Sequence, residues 1–227
     1  MENFDSELWK LINNTEDYIK YGCISDCNLQ DMVIKQEEPD SLDKIAGEIA
    51  QCSKCRLCEK RKKVVPGMGV LNPDVMVVGE GPGADEDEQG LPFVGRAGQY
   101  LDKWLAAIGL SRTTNCFIGN VVKCRPPMNR DPQPDEIASC IPYLERQIAI
   151  IKPKFILTVG RISSAVLTGQ EAGIGRLRGF TYSFKGIPLI PTYHPSAVLR
   201  DQANLRRPVW DDLRRLKAQL EEIKNVH

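Results

Sequence analysis

Three cysteines lie close together in the chain, within the segment 52–58, whose sequence is CSKCRLC. Two cysteines separated by two residues place both sulfurs on one side of a tight turn, where they can bind a metal ion or one corner of an iron–sulfur cluster. Two more ligands must come from elsewhere, and Cys124 and Cys140 are the candidates because each lies beside a loop-forming segment. The spacing predicts a metal site and leaves zinc and iron–sulfur open. A turn with incidental thiols is the alternative.

A glycine-rich segment, GEGPGADED, spans residues 79–87. It lacks the spacing and the lysine of phosphate-binding loops, and its acidic residues would repel a phosphate. Its glycines instead allow a flat ligand to approach the backbone closely. Phe93 lies in a nearby loop between Pro and Gly, where it can stack on such a ligand as aromatic side chains stack on nucleobases. The alternatives are a plain connection between a strand and a helix, and a phenylalanine that covers the edge of the domain.

Two polar side chains, Asn120 and His194, also follow apolar runs. The Asn120 amide offers an acceptor beside a pair of donors, which matches the N3–H and O4 edge of uracil but not the corresponding edge of cytosine. His194 precedes Pro195 and Ser196, and it is a candidate donor to developing negative charge. A turn-forming asparagine and a structural histidine are the respective alternatives.

Apolar and cationic residues near these loops predict DNA contacts. Val198 and Leu199 directly precede Arg200, an arrangement suited to a wedge that enters a base stack while the arginine contacts phosphate. Arg176 and Arg178 add positive charge in the same half of the chain. For the arginines, a solvated charged surface is the alternative.

The elements that must position these residues follow from the apolar pattern. Four short runs rich in β-branched residues alternate with helical stretches, which predicts a parallel sheet with helices on both faces. Ligands of such sheets bind at the carboxyl ends of the strands, so the loops described above should meet at one pocket. The predicted strands are Val75–Val78, Phe117–Val122, Phe155–Val159 and Ile187–Ile190, and the predicted helices are 42–51, 96–109, 134–151, 161–168 and 208–225.

The formal net charge of the 227 residues is zero, and this value hides an asymmetry. Residues 1–50 contain 4 lysines and 12 acidic residues, a net charge of −8, so the remainder carries +8. We predict an acidic N-terminal extension over residues 1–45, with an amphipathic helix at 4–20, and a basic domain over 46–227. The extension is expected either to fold over the basic domain or to bind a protein partner.

No segment has the pattern of a signal peptide, a transit peptide or a membrane span. A chain of this length can form a full-sized core without disulfides, so its cysteines favour a metal or redox site in a reducing compartment. We therefore expect a cytoplasmic monomer that does not bind membranes.

Several motifs together resemble the family 4 uracil-DNA glycosylases, the iron–sulfur members of the uracil-DNA glycosylase superfamily. They are the Cys-x-x-Cys pair, GEGPGADED, GLPFVGRAGQ, NVVKCRPPMNRDP and HPSAVLR, in this order within residues 48–220. The resemblance implies a three-layer α/β/α domain with a central four-stranded parallel sheet. It also implies recognition of uracil that is flipped out of single- or double-stranded DNA. A [4Fe–4S] cluster would be held by Cys52, Cys55, Cys124 and Cys140.

By the same resemblance, the uracil contacts would come from Glu80, Gly81, Pro82, Glu86, Phe93, Asn120 and His194. Gly81 occupies the place where cluster-free relatives carry a water-positioning aspartate, so that role cannot be transferred. Glu80 or Glu86 is expected to orient the water, and Glu86 to exclude the methyl group of thymine. His194 would stabilise the departing uracil anion, and Asn120 would read the base.

The expected activity is that of a monofunctional glycosylase in base excision repair, because no lysine is evidently placed as a Schiff-base nucleophile. Three other interpretations remain open at this point. They are a uracil-DNA-binding module or replication accessory with little turnover, an iron–sulfur electron-transfer protein, and a protein with a structural zinc site.

Overall fold

The computed structural model describes residues 40–225, which belong to one compact unit that begins at Asp40. The predicted helix over 4–20 and most of the acidic extension lie outside these residues. The helix predicted over 42–51 is present as α1, Leu42–Gln51, and the Ser41 side chain caps it by accepting from the Lys44 N–H at 3.1 Å. No helix within residues 40–225 is long and apolar enough to cross a membrane.

The sheet has six strands in the order β1-β3-β2-β4-β6-β5. The four central strands are parallel, and the two outer strands, β1 and β5, each pair antiparallel with their only neighbour. The strands are β1 Met68–Gly69, β2 Val75–Gly79, β3 Cys116–Asn120, β4 Phe155–Val159, β5 Tyr182–Phe184 and β6 Ile187–Thr192.

Seven further α-helices follow α1, and two short 3₁₀ turns lie at 56–59 and 127–129. The helices are α2 Ala84–Gln89, α3 Arg96–Ala107, α4 Pro134–Ile151, α5 Arg161–Thr168, α6 Ile174–Leu177, α7 Pro195–Arg200 and α8 Gln202–Asn225. The helix predicted over 208–225 begins six residues earlier than expected. Pro208 therefore lies inside α8 rather than at its start.

The core lies on both faces of the sheet because successive side chains of a strand point to opposite sides. Val75 and Val77 of β2 belong to one buried cluster with side chains of α3 and α8. Met76 and Val78 belong to a second cluster with side chains of α4 and α5. Helices thus cover both faces of a mostly parallel sheet, as the continuous apolar runs predict.

The prediction of a four-stranded sheet is corrected by the two edge strands. β1 has two residues and β5 has three, and neither contains a continuous apolar run. β1 pairs with Phe117–Ile118, which are distant from it in the chain. β5 forms a hairpin with the outer edge of β6. Such short, half-buried strands have no pattern in the sequence that distinguishes them from loops.

Candidate functional site

The four parallel strands end at the same edge of the sheet and bring the predicted site residues together. Gly79 at the end of β2 pairs with Asn120 at the end of β3, and Val159 of β4 pairs with Thr192 of β6. The glycine-rich segment, Asn120 and His194 therefore leave the sheet side by side. This is the edge where open parallel sheets bind ligands.

Glycines make room for the side chains that converge there. A Cβ atom on Gly79 would lie 2.5 Å from Asn120 Oδ1 and 2.6 Å from Phe93 Cζ, so only glycine fits at this position. Gly160, directly after β4, has a φ of +100°, and a Cβ atom there would lie 3.1 Å from the His194 Cβ atom. The absence of side chains at Gly79 and Gly160 therefore leaves space for the side chains of Phe93, Asn120 and His194.

Asn120 is 1% exposed, and its Oδ1 atom is buried without a hydrogen-bond partner among residues 40–225. Its backbone carbonyl, in contrast, accepts a hydrogen bond from Lys123 Nζ at 2.8 Å. An unpaired buried acceptor costs about 1–3 kcal/mol, and in a folded protein it needs an explanation. The fold thus leaves the Asn120 Oδ1 atom as an available acceptor at the strand ends.

Phe93 lies against the same space in an uncommon backbone conformation. Its φ is +52°, a value that a residue with a side chain adopts at some cost, and its ring centroid lies 5.9 Å from that of His194. The Arg112 guanidinium donates to the carbonyl oxygens of Pro92 and Phe93, both at 3.0 Å, and so fixes this loop. The aromatic ring is therefore held at the pocket by the surrounding structure.

His194 precedes α7 and is its N-cap residue. The Ser196 backbone N–H donates to Nδ1 at 3.2 Å, and the Ser196 hydroxyl lies 2.7 Å from the same nitrogen. Since Nδ1 accepts, the proton of the neutral ring must be on Nε2. Burial, together with the Arg200 cation, lowers the pKa of His194 to about 4, so the ring is a neutral Nε2–H donor at neutral pH.

The two candidate carboxylates have different surroundings. Glu86 accepts hydrogen bonds from the backbone N–H groups of Gly83, Val94 and Gly95 at 2.8–3.0 Å, and it closes the glycine-rich loop onto the segment after Phe93. Glu80 is half-buried; its backbone carbonyl accepts from the Val122 N–H at 3.0 Å, whereas its carboxylate accepts no hydrogen bond from residues 40–225. Burial raises the pKa of Glu80 to about 7; Asp131 raises it further, and Arg161 opposes the shift.

Five free cysteines line a cavity between α1, the 3₁₀ turn at 56–59, the segment after β3, and α4. They are Cys52, Cys55, Cys58, Cys124 and Cys140. Hydrogen bonds reach two of the sulfurs from residues on either side of the cavity's loops: Arg61 Nη1 donates to Cys124 Sγ at 3.2 Å, and the Lys123 N–H donates to Cys140 Sγ at 3.3 Å. Burial raises the pKa of Cys140 to about 11.

Lys123 lies between the two sites, and sequence reasoning missed it. It is 1% exposed, and its ammonium group donates to the Asn120 carbonyl and to Gln147 Oε1, both at 2.8 Å. Burial lowers the pKa of Lys123 to about 8. Its only signal in the sequence is its position, a lysine between a predicted base-reading residue and a predicted cysteine ligand in NVVKC. Asp131 and Arg161, an ion pair beside Glu80, were also missed.

The predicted DNA contacts divide into exposed and buried residues. Arg200 and Arg176 are exposed and Leu199 is half-buried, whereas Val198 is fully buried in the core. This corrects the prediction for Val198: as a residue of α7, it is turned towards the sheet and cannot reach a base stack.

Arg178, another predicted DNA contact, is half-buried and engaged within the fold. Its guanidinium forms a bidentate ion pair at 2.9 Å with Asp212, whose side chain is 1% exposed. The same carboxylate accepts from the Thr192 hydroxyl at 2.8 Å. Arg178 therefore neutralises a buried charge, since an unpaired carboxylate there would be strongly destabilising. The Asp212 carboxylate in turn ties α8 to the end of β6 through Thr192.

Comparison with known proteins identifies the family of the chain. The family model described as the uracil DNA glycosylase superfamily matches residues 66–214. The type-4 uracil-DNA glycosylase of Sulfurisphaera tokodaii is 46% identical over 187 residues, which are 78% of this chain and 84% of the relative. Those of Saccharolobus solfataricus (45%, covering 80% and 87%) and Thermotoga maritima (42%, covering 77% and 92%) are similarly close. The chain belongs to the type-4 family of uracil-DNA glycosylases.

Proposed function

We propose that the protein is a monofunctional uracil-DNA glycosylase, which flips uracil out of DNA, hydrolyses its N-glycosidic bond and leaves an abasic site. The observation that carries this proposal is the unpaired Asn120 Oδ1 atom, buried between the Phe93 ring and the strand ends. Uracil offers a complementary donor, its N3–H, whereas cytosine has an acceptor at that position. The names of the similar proteins support the same activity.

Base recognition combines stacking with one hydrogen-bonded edge. Extrusion of a base costs a few kcal/mol, and the pocket offsets this with a stacking contact to Phe93 of about 1–3 kcal/mol. Asn120 accepts from N3–H through Oδ1 and donates to O4 through its amino group. Gly81 and Pro82 form the wall beside Glu80, where a bare backbone allows the base to lie close.

Bond cleavage then uses a hydrogen-bond donor, His194, and a carboxylate, Glu80. As the bond between C1′ and N1 breaks, its electron pair moves onto uracil and the sugar acquires oxocarbenium character. The His194 Nε2–H donates to O2 of the departing anion, a role that suits a ring whose proton is fixed on that nitrogen. Glu80 orients the water that adds to C1′, while Glu86 holds the loop through its three backbone contacts.

The cysteine cavity fits a [4Fe–4S] cluster, which Cys52, Cys55, Cys124 and Cys140 would hold. Such a cluster supplies a structural cross-link between α1 and the segment that joins β3 to α4. A single zinc ion needs sulfurs about 2.3 Å from the metal. Within residues 40–225, no three cysteine, histidine or acidic side chains are close enough to hold one ion. Cysteines that line one cavity but are spaced too widely for a single ion favour the cluster.

The remaining assignments concern DNA and the N-terminal extension. Leu199, Arg200 and Arg176 stay candidates for DNA contact, since their side chains are at least partly exposed. The extension over residues 1–45 either covers the basic domain or binds a protein partner. Its removal should raise DNA affinity and steepen the salt dependence if it covers the DNA-binding surface. Unchanged affinity and an unchanged salt slope would exclude that role.

The test of the proposed function is release of uracil from single-stranded and double-stranded oligonucleotides under single-turnover conditions. The wild-type protein should release uracil from DNA without cutting the strand. His194→Ala should slow release about 10²–10³-fold, the range for loss of one donor to a developing anion. A wild-type protein that binds uracil-DNA but releases no base would be a binding module instead.

A further inference from the structure

Met128 is the most exposed large apolar side chain among residues 40–225, with 95% of its surface accessible. It lies in the 3₁₀ turn 127–129, in the loop that joins β3 to α4. A methionine so fully exposed gains nothing from the fold. An apolar side chain this exposed indicates a contact with another molecule.

The backbone holds Met128 outward in a strained conformation. Met128 and Asn129 have φ values of +53° and +56°, in the left-handed region that costs about 1–2 kcal/mol for a residue with a side chain. Two prolines precede them, and the Asn129 N–H donates to the Pro126 carbonyl at 3.0 Å. Strain of this kind persists only where the surroundings impose it, and it is concentrated at functional sites.

Ion pairs after the turn keep the loop in place. Arg130 makes two hydrogen bonds, of 2.7 and 2.8 Å, to Glu136, whose side chain is fully buried in α4. Asp131 pairs with Arg161 at the start of α5. The turn is therefore fixed on both the α4 and the α5 side, and Met128 is presented by a rigid support.

The turn lies at the mouth of the pocket. A Cβ atom on Gly81 would be 3.6 Å from Pro126 Cδ, so the loop packs directly against the wall where the base would enter. Arg125 adds a cation at the base of the turn. Its guanidinium donates to Asn129 Oδ1 at 2.8 Å and forms no ion pair with a carboxylate of residues 40–225.

We propose that Met128 enters the DNA base stack at the position vacated by the flipped uracil, with Arg125 contacting a neighbouring phosphate. This rests on the proposed function. Methionine is among the apolar residues that proteins insert between base steps. The helix α7, where the sequence predicts the wedge, has Val198 buried and Leu199 half-buried, so it offers no comparably exposed apolar side chain.

If Met128 enters the base stack, its substitution should affect the rates on duplex and single-stranded DNA differently. In duplex DNA, the inserted side chain replaces the stacking that the extruded base loses, whereas a uracil in single-stranded DNA leaves no gap in a paired stack. Met128→Ala should therefore slow uracil release from a duplex about 5- to 100-fold, the range of one stacking contact. Release from a single strand should change less than about twofold.

Two variants control for folding and for loss of apolar surface. Met128→Leu keeps a long apolar side chain and should retain the duplex rate. Leu71→Ala removes another exposed apolar side chain, 58% accessible, from the amino end of β2, on the edge of the sheet opposite the pocket, and should leave both rates unchanged. Equal slowing on both substrates by Met128→Ala, or no slowing on the duplex, would overturn the proposal.

Fluorescence of 2-aminopurine placed next to uracil in a duplex reports insertion without requiring chemistry. Binding of the wild-type protein should raise the fluorescence, and Met128→Ala should remove most of that rise. A rise that depends on Met128 in a protein that releases no uracil would support insertion and refute the catalytic function. A rise that is the same in both proteins would refute insertion.

Discussion

The pocket at the strand ends and the cysteine cavity differ in how burial affects the protonation of their side chains. The three side chains predicted to contact the base are neutral at pH 7, namely Phe93, Asn120 and a histidine whose pKa burial lowers to about 4. In the cavity, burial raises the pKa of the Cys55, Cys124 and Cys140 thiols, to about 11 for Cys140. Neutral donors and acceptors suit an uncharged base, whereas buried thiols lose their protons only when a positive centre binds them.

The two sites also differ in what fixes their side chains. Contacts within the chain fix the side chains at the strand ends, through Gly79, Gly160, Arg112 and Lys123. In the cavity, the proposed cluster would itself join α1 to the segment after β3, in addition to the hydrogen bonds from Arg61 and Lys123 to sulfur. Changes in the pocket should therefore affect chemistry more than stability, and changes in the cavity should affect stability first.

The largest effect on chemistry is expected for Asn120→Asp. A carboxylate only accepts hydrogen bonds, so it cannot donate to uracil O4 but can accept from the amine of cytosine. Uracil release should fall about 10²–10³-fold, and slow release of cytosine should appear. Measurement of both bases by chromatography checks this. Asn204→Asp, an exposed change on α8, is the matched control and should alter neither rate.

A variant in the cysteine cavity should affect stability before it affects chemistry. Cys140→Ser should abolish the broad absorbance near ~400 nm expected of a thiolate-bound cluster and lower Tm, by about 2–4 °C for each kcal/mol lost. Cys58→Ser is the control, because Cys58 lines the same cavity but is not among the four proposed ligands. Equal loss of absorbance in both variants would mean that the ligand set is wrong.

The pH dependence separates the two carboxylates of the pocket. With a pKa of about 7, Glu80 is protonated below that pH and ionised above it, under the opposing influences of Asp131 and Arg161. If its carboxylate orients the water, the single-turnover rate should rise about tenfold between pH 6 and pH 8. Glu80→Gln should be slower at pH 8 and lose this dependence. A wild-type rate that is flat over this range would contradict the role.

The smallest effect is expected where the two sites meet. Lys123→Met leaves the Asn120 carbonyl and Gln147 Oε1 without a donor, which costs about 1–3 kcal/mol of stability. Uracil release should fall less than about tenfold, since Asn120 is displaced but keeps its amide. Thermal unfolding and single-turnover rates measure the two effects. Lys103→Met, on the exposed side of α3, should change neither.

Much of the architecture could be predicted because it depends on local patterns. The continuous apolar runs identify the four central strands, and the helix predicted over 134–151 is present with the same limits. β1 and β5 could not be predicted, since they contain too few residues to show a period. The start of α8 was also missed, because a proline is usually placed at a helix start and here lies inside the helix.

The order of residues along the chain identifies the chemical groups that are available: an amide, a histidine, an aromatic ring and cysteines beside strand ends. How these groups act depends on contacts between distant parts of the chain. The Nε2–H form of His194, the unpaired Asn120 oxygen, the buried Val198 and the pairing of Arg178 with Asp212 all depend on which residues meet across the fold. Burial and long-range contacts set the protonation and the availability of each side chain, and neither is encoded in a residue's immediate neighbours.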